Sequence, residues 1–260
     1  MVYRYERMTQ EDIVALAASA PVVAVLPVGA IENHGPHLPV GTDAIIAGEF
    51  ALRAANLSES VALLLPTLSV GVSHEHVADG RSPQATLSID ALTQIAEITS
   101  IAEGIARTGI DRLLFVNGHG GNVSALNIAA LDIRRKHGLL CANAHWLDFG
   151  LPEGINAPGD IVADIHGGWL ETSLMLAIAP ADVAMDKARA NPPAIARGDL
   201  LYPAGPVNWG WKTGDIAEGG WIGWPERASR ELGTRLLDHA TAKLAELVAD
   251  MAAAKGFRRG

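Results

Sequence analysis

With 260 residues, the chain is long enough to bury a substantial hydrophobic core in one large domain or two small ones. Hydrophobic residues make up 49% and charged residues 19% of the sequence, which excludes an intrinsically disordered chain. The formal net charge of -9 at pH 7 argues against a nucleic acid or an anionic membrane surface as a partner.

The first predicted elements are a helix and a buried strand. Thr9 precedes an acidic segment and the periodic apolar run 13–20, so we predict that it caps a helix, which Pro21 ends. Residues 22–28 form a continuous apolar run rich in valine, which is typical of a strand covered on both faces.

The loop that follows this strand carries four side chains of the types that bind metals. They are Glu32, His34, His37 and Asp43. Glu32 and His34 are separated by one residue, so in an extended chain their side chains point to the same side. Asp43 comes nine residues after His34, immediately before a predicted helix, and is able to fold back towards both. This arrangement indicates part of a metal site.

Beyond this loop, strands and helices alternate at a spacing of roughly 30 residues. Strands are predicted over residues 61–65, 112–116 and 139–144, with a fragment at 86–89 after the loop 67–85, and helices over residues 43–56, 90–108 and 124–136. The predicted apolar stripe of the helix 90–108 comprises Leu92, Ile95, Ile98, Ile101 and Ile105. The alternation predicts an α/β fold, specifically a three-layer α/β/α sandwich with a largely parallel central sheet. Ligand sites of such sheets lie at the carboxyl ends of the strands.

The sequence NGHGGN at residues 117–122 runs directly out of one predicted strand and into a helix that Asn122 or Ser124 is expected to cap. Its glycines permit unusual backbone angles and leave the imidazole of His119 exposed as a ligand. A glycine-rich turn also occurs in phosphate-binding loops, but this one lacks the Walker A lysine and the G-x-G-x-x-G spacing. We therefore interpret His119 as a metal ligand.

The second half of the chain is less regular. His166 begins a turn into a helix that Pro180 ends, and Glu171 is either a metal ligand or a carboxylate favoured by the helix dipole. The segment 186–225 contains four tryptophans without periodicity and is predicted to be a lid or a subunit contact, with one or two tryptophans reaching the active-site pocket. A final amphipathic helix is predicted over residues 225–254.

Two further candidates have alternative explanations. The sequence His74-Glu75-His76 either binds a metal through its histidines or forms a solvated loop. Cys141, the single cysteine, lies in an apolar run and is interpreted as a buried strand thiol, which leaves no internal disulfide. The single cysteine, together with the lack of an apolar N-terminal segment, favours a cytoplasmic location.

The candidate side chains together indicate a metal-dependent hydrolase. They are Glu32, His34, Asp43, His119, His166 and Glu171. Mixed imidazole and carboxylate ligands suit Zn²⁺, Mn²⁺ or Fe²⁺ better than Ca²⁺. With a bridging carboxylate, such ligands hold two metals about 3.5–4 Å apart, which generate hydroxide and polarise a carbonyl group. The G-x-S-x-G motif of serine hydrolases is absent from the sequence.

Four stretches of the sequence resemble the creatininase (creatinine amidohydrolase) family. They are LPVGAIENHGPHLPVGTD at 26–43, VNGHGGN at 116–122, HGGWLETSLML at 166–176 and GDIAEGGWIGWPERA at 214–228. Because these stretches span most of the sequence, residues 1–260 are identified as a single creatininase-like domain. The resemblance implies a three-layer α/β fold, a dinuclear metal site and a homo-oligomer, commonly a hexamer.

The resemblance also implies two ligand sets. One metal would be bound by Glu32, Asp43 and His119, and the other by His34, a further carboxylate and Asp43 as the bridging ligand. Creatininase proper has a glutamate two residues after the histidine of its NGH motif, where this sequence has Gly121. The missing carboxylate is therefore expected to come from Glu171.

Other positions are implied to act on the substrate. His166 matches the catalytic histidine that shuttles a proton to the leaving nitrogen. Residues at positions expected to contact the substrate are Trp146, Ser73 and Gly120. Ile165 replaces an acidic residue of creatininase proper, and together with Gly121 it argues against creatinine itself as the substrate.

These expectations define a metal-dependent amidohydrolase that cleaves a C–N bond of a small cyclic amide or formamide-like molecule through a metal-bound hydroxide. Zn²⁺ is the expected metal, with Mn²⁺ or Fe²⁺ as alternatives and two ions per subunit. The alternative functions are a peptidase that trims a modified peptide cofactor precursor, a hydrolase or isomerase of a keto sugar or lactone, and a non-catalytic metal-binding relative.

Overall fold

A computed structural model describes residues 2–77, 84–195, 201–203, 207 and 209–255. Its single sheet has five parallel strands: β1 (Tyr3–Arg4), β2 (Val22–Val28), β3 (Val61–Leu64), β4 (Arg112–Asn117) and β5 (Leu140–His145). Their order across the sheet is β1-β3-β2-β4-β5, which places β2 at the centre. The predicted parallel sheet is confirmed, although β1 was not predicted because two residues show no periodicity.

Helices cover both faces of the sheet. They are α1 (Gln10–Ser19), α2 (Thr42–Leu57), α3 (Ala91–Arg107), α4 (Val123–His137), α5 (Trp169–Ile178), α6 (Thr213–Ile216) and α7 (Arg230–Ala253). Alternate residues of β2 serve the two faces, since Val23 and Val25 pack with α2, α5 and α7, whereas Ala24 and Leu26 pack with α1, α3 and α4. The predicted three-layer sandwich is therefore confirmed.

The local signals at two helix ends explain where these helices begin. The Thr9 hydroxyl accepts a hydrogen bond from the backbone N–H of Asp12 and completes a capping box, as predicted for α1. The last helix was predicted to begin near Pro225, but it begins at Arg230. The prediction was wrong because the Ser229 hydroxyl caps Leu232, and residues 225–227 form a separate 3₁₀ turn.

Two other predictions need correction. Leu92 of the predicted stripe is 80% exposed, because α3 buries Gln94 and Ile98 and a residue two positions before Gln94 faces nearly the opposite side. The predicted strand fragment 86–89 is reduced to one antiparallel bridge between Leu87 and Ile31. It pairs with the loop after β2 and not with an edge of the sheet.

The segments predicted to be irregular, 67–85 and 186–225, contain only short helical turns and isolated bridges where they are described. Their residues 78–83, 196–200, 204–206 and 208 lie outside the described residues. Within the described ranges, no helix combines the length and hydrophobicity needed to cross a membrane.

The carboxyl ends of the three adjacent strands β2, β4 and β5 lie at one edge of the sheet. Val28 pairs in register with Asn117, and Asn117 pairs with His145. The chain leaves these positions into the loop with Glu32, the NGHGGN turn and the turn with Trp146, respectively. All three candidate segments therefore meet at this edge, as the fold class predicted.

Candidate metal centre

The backbone at the start of α2 lies directly against the ends of β2 and β4. A Cβ atom added at Gly118 would overlap the main-chain oxygen of Asp43, and one added at Gly29 would overlap Ala44. Only glycine allows the two strand ends to approach the helix this closely. This approach carries the Asp43 side chain into the space between the loops that follow the two strands.

His34 lies at the centre of a group of carboxylates. Its Nε2 atom is 3.0 Å from Oδ1 of Asp43, 3.7 Å from Oε2 of Glu171 and 3.9 Å from Oε1 of Glu32. Its Nδ1 atom is 3.1 Å from the main-chain oxygen of Glu32. Because a carbonyl oxygen only accepts hydrogen bonds, Nδ1 carries a proton, and in the neutral ring Nε2 presents a lone pair to the carboxylates.

The charges of this group are set by its burial. Burial disfavours the protonated form of His34, but the carboxylates of Asp43 and Glu171 outweigh this effect and raise its pKa to about 10. Burial raises the pKa of Glu171 to about 7, a shift that His34 opposes and Asp43 reinforces. Glu171 is therefore partly protonated at neutral pH, and a cation bound at this position would favour its ionised form.

His119 and His76 have the same arrangement around Glu32. The Nε2 atom of His119 donates to the main-chain oxygen of Val72 over 2.8 Å, and its Nδ1 atom lies 3.3 Å from Oε1 of Glu32. The Nδ1 atom of His76 is 2.7 Å from the Thr213 hydroxyl, and its Nε2 atom is 3.5 Å from the same Glu32 oxygen. Each imidazole thus uses its outer nitrogen for a hydrogen bond and directs the other towards the carboxylates.

His166 is the remaining member of the group, and its ring packs against the ring of His34. Its Nε2 atom donates to the main-chain oxygen of Asn33 over 2.8 Å, which leaves Nδ1 free to face Oε1 of Glu32 at 3.6 Å. Its ring centroid lies 4.2 Å from that of His34 and 3.9 Å from that of His76. Burial, with the adjacent charge of His34, lowers the pKa of His166 to about 3.

Both side-chain oxygens of Glu32 and Oδ2 of Asp43 are buried and have no hydrogen-bond donor among the described residues. Unsatisfied carboxylate oxygens at this depth cost several kcal/mol or more unless a cation compensates them. Three sets of side chains bring their ligand atoms within 4.8 Å of one another: Glu32 with His76 and His119, Glu32 with His34 and His166, and His34 with Asp43 and Glu171. These residues fit a divalent metal centre.

Every predicted ligand lies in this cluster, whereas His37, a side chain of the same loop that was not among the predicted ligands, lies outside it. The Nε2 atom of His37 is 2.9 Å from the main-chain oxygen of Gly167 and 3.1 Å from the Thr172 hydroxyl. It therefore ties the loop after β2 to the start of α5. Loop composition alone does not reveal which way such a side chain turns.

His76 is the cluster residue that sequence reasoning left unassigned. The spacing of His74 and His76 was the only signal, and it was equally compatible with a solvated loop. The structure separates the two histidines, since His76 is buried in the cluster while the half-exposed His74 lies 3.5 Å from Asp90.

A cavity of about 460 Å³ opens onto the cluster. His166 and Glu171 lie on its wall, together with the predicted substrate contacts Trp146 and Gly120 and the aromatic side chains Trp209 and Trp211. Ser73, also predicted to contact the substrate, is instead fully buried behind His119, with its Oγ atom 3.5 Å from Nε2. No lysine or arginine is among the described residues that line the cavity.

Comparison with known proteins assigns this chain to one family. The model of the creatininase family, described as creatinine amidohydrolase, matches residues 6–248. The mycofactocin precursor peptide peptidase of Mycolicibacterium smegmatis is 36% identical over 177 residues, which cover 66% of this chain and 64% of that protein. The creatinine amidohydrolase of Pseudomonas putida is 28% identical over 253 residues, or 93% of this chain and 94% of that protein.

The fold of a solved structure described as "Creatininase Mn" superimposes on this chain with a TM-score of 0.79 and 26% sequence identity. The superposition covers 98% of this chain and 100% of that structure. The likeness therefore includes the sheet edge and the loops that carry the cluster.

Proposed function

The chain belongs to the creatininase family, and from that premise we propose that it is a metal-dependent amidohydrolase acting on a small-molecule C–N bond. The observation that carries this proposal is the convergence of Glu32, His34, Asp43 and His119 with Glu171 in one buried group at the edge of a cavity. These side chains come from three distant parts of the sequence, and none of them belongs to the hydrophobic core clusters.

The ligand geometry divides into two neighbouring positions. One would be held by Glu32, His76 and His119, and the other by His34, Asp43 and Glu171. Asp43 also reaches the first position, because its Oδ2 atom lies 3.2 Å from Nδ1 of His119, so we propose it as the bridging ligand. A bound pair of Zn²⁺ or Mn²⁺ ions supplies a Lewis acid for the carbonyl oxygen and lowers the pKa of water.

His166 is proposed as the acid/base residue. Its ring is held by the hydrogen bond from Nε2 to the main chain of Asn33, and its Nδ1 atom has no committed donor or acceptor. The residue also lies on the cavity wall. It is therefore placed to accept a proton at Nδ1 and to return it to the leaving nitrogen.

The cavity favours a neutral or cationic substrate. Its described lining includes the carboxylates of Glu75 and Glu171 but no lysine or arginine, so a phosphate or carboxylate group held away from the metals would meet no cationic side chain among the described residues. Trp146, Trp209 and Trp211 offer flat apolar walls to a ring or an aromatic side chain. We propose a lactam or formamide, with creatinine itself disfavoured by Gly121 and Ile165.

A second candidate is the trimming of a modified peptide. A relative with 36% identity carries that name, and the same tryptophan walls suit an apolar side chain of a peptide. Both candidate functions use the same metal centre and differ in the substrate group that occupies the cavity. A screen that includes both substrate classes therefore distinguishes them.

We also propose that the protein is a cytoplasmic homo-oligomer. On α4, Ile128 and Leu131 are 58% and 71% exposed, which is an apolar surface suited to a second copy of the chain. Light scattering coupled to gel filtration measures the mass, and a monomer at micromolar concentration would contradict this proposal.

The test is a substrate screen with the metal as the variable. The protein is stripped with a chelator, reconstituted with Zn²⁺ or Mn²⁺, and incubated with lactams, formamides and short peptides that end in aromatic residues. We expect turnover of one class only after reconstitution. If the protein binds two equivalents of metal but hydrolyses none of these substrates, the result would favour a non-catalytic relative. A keto sugar or lactone tested in parallel covers the remaining alternative.

A further inference from the structure

The carboxylate of Glu75 lies beside Nε2 of His119, the ring nitrogen opposite the one directed at the proposed metal position, and its Oε1 atom is also 4.0 Å from Nε2 of His76. Its Oε1 atom is 3.4 Å from Nε2 of His119, the same nitrogen that donates to the main-chain oxygen of Val72 at 2.8 Å. The opposite ring nitrogen, Nδ1, faces Glu32 at 3.3 Å and Asp43 at 3.2 Å. The proton on Nε2 is thus shared between a carbonyl oxygen and a carboxylate.

The space for this carboxylate exists because residue 121 has no side chain. A Cβ atom added to Gly121 would overlap Oε1 of Glu75, Nε2 of His119 and the main-chain oxygen of Val72. A Cβ atom added to the neighbouring Gly120 would meet nothing within 4 Å. The two adjacent glycines therefore have different roles, and only Gly121 is required by the position of Glu75.

The backbone around Glu75 is fixed from a distant part of the chain. Residues 74–76 form a 3₁₀ turn, and the main-chain oxygen of Glu75 accepts a hydrogen bond of 3.0 Å from the Thr213 hydroxyl. The next residue, His76, stacks on His166 inside the cluster. The backbone of Glu75 is therefore fixed by the hydrogen bond from Thr213, and the adjacent residue His76 is fixed by stacking on His166. Together these contacts restrict where the Glu75 carboxylate can lie.

We propose that Glu75 is the positioning residue of His119, and that Gly121 makes the room for it. The carboxylate holds the proton of His119 on Nε2, which keeps the lone pair of Nδ1 directed at the metal position and increases its donor strength. This inference rests on the proposed metal-dependent function, but it concerns the affinity and geometry of the centre and not the reaction.

Substitution of Glu75 by glutamine tests the proposal, because the amide keeps the size of the side chain and removes its charge. We expect Glu75→Gln to weaken binding of one metal equivalent by about 10- to 100-fold in a chelator competition assay with Zn²⁺. In the Co²⁺-loaded protein, the visible absorption spectrum should change as the ligand geometry relaxes. Glu75→Asp should recover part of the affinity. The exposed Glu97→Gln on α3 is the matched control and should bind like the wild type.

The glycine pair provides a supporting measurement. Gly121→Ala should displace both the Glu75 carboxylate and the His119 ring and weaken the same metal equivalent, whereas Gly120→Ala should leave metal affinity unchanged. If Gly121→Ala does not fold, the Glu75→Gln titration still decides, because the Glu75 side chain is 19% exposed and its loss leaves the core intact. Wild-type affinity and spectrum in Glu75→Gln would overturn the proposal while the proposed function stands. A wild-type protein that binds no metal would overturn both.

Discussion

Oδ1 of Asp43 lies 3.0 Å from Nε2 of His34, and both side chains are almost completely excluded from solvent. The other oxygen of the same carboxylate, Oδ2, lies 3.2 Å from Nδ1 of His119. Both imidazoles use their remaining nitrogen in a hydrogen bond to a main-chain oxygen. Asp43 therefore lies between two imidazole nitrogens that are both directed inward, and a cation bound at either position would take the place of the proton between carboxylate and imidazole.

Loss of the Asp43 charge is expected to remove metal and activity together. In Asp43→Asn the amide keeps the shape of the side chain but offers only one weakly basic oxygen, so it cannot bridge two cations. We expect the variant to retain at most one metal equivalent in mass spectrometric metal analysis and to lose measurable turnover. Asp238→Asn, an exposed substitution on α7, is the control. Two tightly bound equivalents in Asp43→Asn would refute the bridging role.

The proposed role of His166 predicts a different pattern. Replacement by glutamine removes a proton acceptor but no essential ligand, so metal content should stay at two equivalents while kcat falls by about 10²- to 10⁴-fold. His137→Gln, at the end of α4 and far from the sheet edge, is the control. Loss of metal in His166→Gln would instead make this residue a ligand together with Glu32 and His34, whose ligand atoms are close enough for that role.

The convergence of Asp43 and His119 has a physical explanation that was available from the sequence. Each residue follows a buried strand of a parallel sheet, and the ends of adjacent parallel strands necessarily meet at one edge. The loops that follow β2 and β4 were therefore expected to converge, and in the structure Oδ2 of Asp43, at the start of α2, lies 3.2 Å from Nδ1 of His119. The fold class and this convergence could therefore be predicted from local patterns in the sequence.

Features that depend on distant contacts could not be predicted in the same way. His76 enters the cluster because the Thr213 hydroxyl, 137 residues later, holds its outer nitrogen. The buried face of α3 was misjudged at Leu92 because polar Gln94 takes the inner position, where its amide donates to Asn122 over 2.8 Å. A hydrophobic periodicity cannot reveal a polar residue that is buried for a hydrogen bond.

Cys141 is expected to be an unreactive thiol. It lies in β5 as predicted but is only partly buried, and this burial raises its pKa to about 12, above the ordinary value of 9.0. Because the thiolate is the reacting form, the fraction available at pH 8 falls by about a thousand-fold relative to the unfolded chain. Alkylation with iodoacetamide should therefore be slow in the native protein and fast in urea, as measured by mass spectrometry. Rapid modification of the native protein would contradict the expectation of an unreactive thiol.

The packing of α5 against α7 is expected to depend on one glycine. A Cβ atom added at Gly233 of α7 would overlap the main-chain oxygen of Ser173 in α5, which cannot move without shifting the helix. We expect Gly233→Ala to lower the free energy of unfolding by about 1–3 kcal/mol in urea titrations. Gly104 lies inside α3 with nothing within 4 Å of an added Cβ atom, so Gly104→Ala should raise stability by about 0.5–1 kcal/mol.

The opposite signs of these two substitutions separate a steric effect from helix propensity, which favours alanine at both positions. The steric effect also has a consequence at the metal centre, because α5 carries Glu171, whose Oε2 atom is 3.7 Å from Nε2 of His34. A displacement of α5 by Gly233→Ala should therefore weaken metal binding as well as stability, while Gly104→Ala changes stability alone. Unchanged stability and unchanged metal affinity in Gly233→Ala would show that the two helices do not pack through this contact.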